Sequence, residues 1–181
     1  MDAFESLVAS IFRDKGYWVE ESFKVALTKA EKVEIGRPSC PRWELDVVAY
    51  KARDNEVLAI ECKSYLDSRG VSASAVMGES DASTYKLFRE ETLRNVVFRR
   101  LAAQLAEAGT TLPNPKVTLC LATGLVKSGK DRDALKAHFS SKEWKLFDEP
   151  WLRQSLKDLS DRSYQNSVAS IVAKILCRAE A

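Results

Sequence analysis

The stretch Trp43–Tyr65, WELDVVAYKARDNEVLAIECKSY, decides how this chain is read. It holds two apolar runs of strand length, "WELDVVAYKA" and "NEVLAIECKSY", rich in β-branched and aromatic residues. The polar triplet Arg53-Asp54-Asn55 separates them and has the composition of a tight turn. The spacing predicts an antiparallel hairpin whose second arm is apolar enough to be a central strand. That arm ends in Glu61-Cys62-Lys63. A strand alternates its side chains between faces, so Glu61 and Lys63 share one face and Cys62 takes the other. Asp54 lies eight positions after Asp46 and seven before Glu61. A hairpin closed there brings Asp46 to the same end of the sheet as Glu61 and Lys63.

Upstream, residues 2–15 read as a helix. Phe4, Leu7, Val8, Ile11 and Phe12 make one apolar stripe, and Gly16 stops it. At about 100° per residue, Glu5 falls on the border of that stripe, from where it can reach the rim of a sheet. The segment Tyr17–Gly36 mixes aromatic and β-branched residues with charge and predicts a long strand or a hairpin arm. Gly36–Arg42 is a loop. Downstream, residues 66–82 are small and polar and read as a long surface loop or a weak helix start. Residues 83–108 carry one long helical pattern, Lys116–Thr123 a buried strand, and 131–139 a short helix. "KEWKLFDE" suits an edge strand. Residues 150–158 and 163–178 suit two more helices.

Strands followed by a helix that must cross over to a further strand predict an α/β fold with a mixed sheet and helices on its faces. The order is one core over residues 1–125, with 126–181 as a C-terminal helical extension packed on the same domain. Of the 181 residues, 45% are hydrophobic and 30% charged, enough to build a core and to exclude global disorder. The net charge of +2 neither demands nor excludes nucleic acid. Four well-separated cysteines and a single histidine argue against a zinc site and against a disulfide scaffold. No secretory signal and no membrane span is legible, so a cytoplasmic location without membrane association is expected.

Two carboxylates and a lysine at one strand end have a defined chemical use. Hard oxygen ligands on adjacent strands suit Mg²⁺, with Mn²⁺ able to substitute, and a lysine beside them can serve a water or a phosphate. Against this stands the simpler reading, a strand-end ion pair contributing ~0–1 kcal/mol.

Glu5, Asp46 and the Glu61-Cys62-Lys63 string resemble the PD-(D/E)xK nuclease superfamily, the restriction-endonuclease-like proteins that include Holliday-junction resolvases and Mrr-like enzymes. The resemblance spans roughly residues 1–125 and implies an αβββαβ core. It also implies a metal-dependent endonuclease that hydrolyses phosphodiester bonds in DNA. By that resemblance Asp46, Glu61 and the Cys62 carbonyl hold the metal, Lys63 serves water and phosphate, and Glu5 assists. Leu45 stands where the family name puts proline. Arg42, Tyr65 and Arg69 flank the cluster as candidate nucleic-acid contacts. A homodimer that cuts both strands is left open. The alternative is a non-catalytic nucleic-acid-binding or assembly module on the same fold.

Overall fold

The computed structural model describes residues 2–40, 42–79, 84–163 and 166–177. Helix α1 (Ala3–Asp14) starts where the Asp2 carboxylate accepts the Phe4 N–H at 2.7 Å. This satisfies one of the amide groups that a helix start leaves unpaired. Gly16 takes a left-handed φ of 76° and turns the chain into β1 (Trp18–Val25). The predicted continuation of that strand does not occur. Thr28 and Glu31 form a reciprocal capping box that starts the short helix α2 (Lys29–Glu34). Thr-x-x-Glu is a local signal strong enough to override the β-branched composition around it.

Strands β2 (Trp43–Lys51) and β3 (Glu56–Lys63) form the expected antiparallel hairpin. A single 3₁₀ turn at Ala52–Asp54 and a left-handed Asn55 close it. The Tyr50 hydroxyl donates to the Asn55 side chain at 3.1 Å and ties the turn to the strand.

Helix α3 (Ala73–Met77) lies in the stretch expected as loop or weak helix, of which residues 80–82 fall outside the described residues. The long helix predicted over 83–108 is broken. Its described part consists of α4 (Lys86–Arg89) and α5 (Glu91–Glu107), with Glu90 in an extended conformation between them. Glu90 receives the Arg37 guanidinium through both carboxylate oxygens, at 2.8 and 2.7 Å. This long-range tie holds the break in place. Strand β4 (Lys116–Thr123) follows, then α6 (Gly129–Ser141), the edge strand β5 (Lys145–Phe147), α7 (Glu149–Asp161) and α8 (Val168–Cys177).

The protein is thus α/β, with a five-stranded mixed sheet in the order β1-β2-β3-β4-β5. The β1–β2–β3 pairings are antiparallel, and those of β3–β4–β5 are parallel. Helices cover both faces. One core layer joins Val57, Ala59, Leu119 and Leu121 of the sheet to Leu93, Val97 and Leu101 of α5. The other joins Leu58, Ile60, Cys120 and Ala122 to α1, α7 and α8 through Val8, Phe12, Leu152 and Ala173. Both faces of β3 are therefore buried, which is why its sequence reads as a continuous apolar run. No helix among the described residues is long and apolar enough to cross a membrane.

Candidate functional site

The site is built at a fork in the sheet. The β1–β2 register runs on to Val25↔Trp43, and the β3–β4 register to Lys63↔Thr123. The β2–β3 register stops at Val47↔Ile60. Beyond that pair the two strands part, and Asp46 and Glu61 are the first residues past the split.

Asp46 also marks a defect within its own strand. On β2, Val48 and Tyr50 pack on the α5 side while Val47 and Ala49 pack on the α1 side. Strict alternation would then send Leu45 to the α1 side, yet it packs on the α5 side. The facing partner strand inverts at the same level. Val19 packs on the α1 side, whereas Phe23 and Val25 lie on the α5 side. Between them Ser22 has a left-handed φ of 52°, and the Ser22–Asp46 pair is missing from an otherwise continuous register. Such a strand irregularity re-aims a side chain. Here it turns the Asp46 carboxylate sideways across the fork, where Oδ2 accepts the Cys62 backbone N–H at 2.7 Å. That N–H has lost its β2 partner and would otherwise be an unpaired donor.

Glu61 and Lys63 share a face, as the alternation predicts, and Cys62 turns to the α1 side. The Lys63 ammonium lies 2.7 Å from Glu61 Oε1 and 3.8 Å from Asp46 Oδ2. All three side chains are only 22–23% exposed. Burial, then the negative charge of Glu61, push the Asp46 carboxyl up to about 6 against the opposing pull of the Cys62 N–H and Lys63. Glu5 adds a smaller push in the same direction. Burial works against the Lys63 charge, but Glu61 and then Asp46 outweigh it and hold the ammonium above its ordinary value. Burial, then Asp46 and Glu5, raise the Cys62 thiol, so it is not a nucleophile.

Glu5 is half-buried on α1 and reaches the cluster from the Cys62 side, opposite to Glu61 and Lys63. Its charge is felt at Asp46 and Cys62. Among the described residues no group of three or more His, Cys, Asp or Glu side chains is placed to hold a metal ion. Asp46 and Glu61 bring two carboxylates to the fork, together with one main-chain oxygen. The N–H and C=O of a strand residue point to the same neighbouring strand. The Cys62 carbonyl therefore faces the parted β2 edge, beside Asp46, while the next carbonyl, of Lys63, accepts the Gly124 N–H of the β4 side at 3.0 Å. This donor set consists of hard oxygens, carries an unfavourable negative pair, and suits a divalent cation such as Mg²⁺.

Tyr65 is half-buried against the α5-side core and is left-handed, with φ of 46°. Its hydroxyl shares a hydrogen bond with that of Tyr85, a buried residue also left-handed at 62°. Burial, this hydrogen bond and the nearby Glu61 all keep the Tyr85 hydroxyl protonated. Non-glycine residues held in this region cost about 1–3 kcal/mol each, and two of them back the Glu61 side of the cluster. Arg42 and Arg69 are exposed, before β2 and in the loop after β3. Among the described residues no ion pair joins either to Asp46 or Glu61.

Sequence reasoning missed Ser22, Tyr85 and Gly124. For Ser22 a signal existed, since Glu20-Glu21 interrupts the alternation of its strand. Gly124 was hidden, because its role depends on the Ser64 carbonyl approaching from the segment just after β3.

No protein-family model, curated protein or solved structure matches the chain.

Proposed function

We propose that the chain is a metal-dependent endonuclease acting on DNA, on a restriction-endonuclease-like fold of the PD-(D/E)xK type. One observation carries this reading. The sheet forks at the point where Asp46, Glu61 and Lys63 meet, and a strand defect is maintained there to aim Asp46 across the gap. A surface ion pair needs no such construction.

In this reading Asp46, Glu61 and the Cys62 carbonyl hold a divalent cation. When bound, such an ion polarises a phosphoryl oxygen and lowers the pKa of a coordinated water. The chain's own residues do the rest. The Cys62 N–H fixes the Asp46 carboxylate from one side. Glu61 holds the Lys63 ammonium at the mouth of the fork, where it meets a phosphate oxygen and orients the attacking water. Glu5 adds negative charge from the α1 side and strengthens the site's preference for a cation. Arg42 and Arg69, on the exposed approaches, contact neighbouring phosphates, and the half-buried Tyr65 contacts the substrate beside Lys63.

The test is Mg²⁺-dependent cleavage of plasmid and linear duplex DNA by the full chain. Glu61→Ala is expected to abolish cleavage, and full activity in that variant would sink the proposal.

A second reading, a non-catalytic nucleic-acid-binding or assembly module, is favoured by the 2.7 Å contact that already neutralises Glu61 with Lys63. Calorimetric titration with Mn²⁺ separates the two. Binding that Asp46→Asn removes supports the enzyme, and no binding at millimolar ion supports the module.

A further inference from the structure

Helix α8 is packed inside out. Its buried residues are Ala169, Ser170 and Ala173, all small. Its large apolar residues point away from the domain. Val168, Ile175 and Leu176 are 79%, 68% and 65% exposed, and Ile171 and Val172 are 36% and 44% exposed. An amphipathic helix normally spends its largest side chains on its own core. Next to this ridge runs a groove of about 490 Å³, lined by Leu7 of α1, Leu156 of α7, and Val168 and Val172 of α8.

The charge on this helix has been turned away. Lys174 is its one ionisable residue besides Cys177, and its ammonium donates to the carbonyls of Ser160, at 2.8 Å, and Arg162. It thereby closes the C-terminal end of α7, where a cation is favourable. The outward face of α8 is left without charge among the described residues. This argues against two occupants. Nucleic acid needs cations on the binding face, and a helix lying on a membrane surface carries Lys or Arg along its polar side. A surface without charge meets no like-charge repulsion when it meets itself.

We infer that α8 and the adjoining α1–α7 groove form a homodimer interface, with a second copy of this chain as the occupant. The patch carries both a ridge, Ile175 and Leu176, and a groove. A two-fold axis beside α8 lets each copy's ridge enter the other's groove, which is the self-complementarity that an isologous contact requires. The five exposed side chains leave on the order of 500 Å² of apolar surface bare per copy. Two copies together bury about 1,000 Å², the size at which specific interfaces begin. This inference does not depend on the proposed chemistry, because no residue of the Asp46–Glu61–Lys63 cluster belongs to the patch.

Sedimentation velocity of the full chain across the micromolar range tests it. The expected result is a species of twice the chain mass. Ile175→Glu and Val172→Glu are each expected to give monomer with an unfolding midpoint in dilute solution equal to that of the wild type. Val33→Glu, at an exposed apolar position on α2 away from the patch, is expected to leave the dimer intact. A wild-type monomer throughout that range overturns the inference. So does a dimer that survives both α8 variants, or a monomer that co-sediments with phospholipid vesicles.

Discussion

Asp46 accepts the Cys62 backbone N–H at 2.7 Å across the point where β2 and β3 separate. The contact joins two strands that share no further register beyond Val47↔Ile60. The carboxylate gains a strong donor there, yet burial and Glu61 still hold its pKa at about 6 instead of the ordinary 3.8. The aspartate is thus kept charged at neutral pH at a cost to the fold.

That cost has a definite sign. An acid whose folded pKa lies above its unfolded one binds protons more tightly in the native state. Its contribution favours the native state below about pH 4 and is lost as pH rises to about 6. Asn keeps an acceptor for the Cys62 N–H and carries no charge. Metal-free Asp46→Asn is therefore expected to be more stable than wild type at pH 8, on the order of 1–3 kcal/mol, with the gain vanishing near pH 4. Urea denaturation in chelator at the two pH values checks this, and a variant less stable at pH 8 refutes it.

Lys63→Met removes a cation that lies 2.7 Å from Glu61 and 3.8 Å from Asp46, two half-buried carboxylates. Breaking such a pair leaves charge uncompensated and costs about 1–3 kcal/mol at sites that keep some solvent. The loss is expected to be larger at pH 8 than at pH 5, because protonation of Asp46 relieves it. Equal losses at both pH values, measured by thermal unfolding, would place the lysine outside the electrostatics of the pair.

Metal binding is expected to register as stability. Ligands that bind only the native state raise its unfolding midpoint. Millimolar Mn²⁺ should raise the midpoint of the wild type at pH 8, and much less at pH 5, where Asp46 is mostly protonated. It should leave Asp46→Asn and Glu61→Gln unmoved. A shift of the same size in Glu61→Gln would move the binding site elsewhere.

Gly124 follows β4, and its N–H holds the Lys63 carbonyl. A Cβ there would overlap the Ser64 carbonyl oxygen and press on Leu66 at 3.0 Å. Backbone cannot yield as a side chain can, so Gly124→Ala is expected to cost about 1–3 kcal/mol. It should also displace the chain just after Lys63, lowering DNA cleavage more than the stability loss alone explains. Parallel urea and cleavage titrations compare the two losses.

Ser22 can be relieved of its strain. At φ of 52° a glycine is unpenalised, and Ser22→Gly is expected to stabilise by about 0.5–1 kcal/mol while keeping Asp46 aimed at Cys62. Ser22→Val, with a β-branched side chain at a left-handed position, should destabilise and reduce metal binding together. A stable, metal-binding Ser22→Val protein would show that the defect does not set the aspartate's direction.

The hairpin about Arg53–Asn55 and the shared face of Glu61 and Lys63 were legible because each rests on local chemistry, a polar turn and a period of two. Thr28-x-x-Glu31 was legible too, but the mixed composition of Tyr17–Gly36 masked it. The break at Glu90 was not, since it depends on Arg37 arriving from a distant loop. Nor was the fork itself. Counting from the turn places Asp46 near Glu61, but only the four-strand context shows that β2 stays with β1 and β3 with β4. The sideways aim of Asp46 comes from a residue on a third strand.

The paired inversion at Ser22 and Asp46 behaves like a dislocation in a crystal. It cannot drift along the ribbon, because on one side Leu45 and Phe23 are locked into one core and on the other Val47 and Val19 into the opposite one. Sliding it by a single residue toward Leu45 and Phe23 would take both of these apolar side chains out of their core and turn Asp46 and Ser22 toward it. The aspartate is therefore pinned in phase by hydrophobic packing on either side of it.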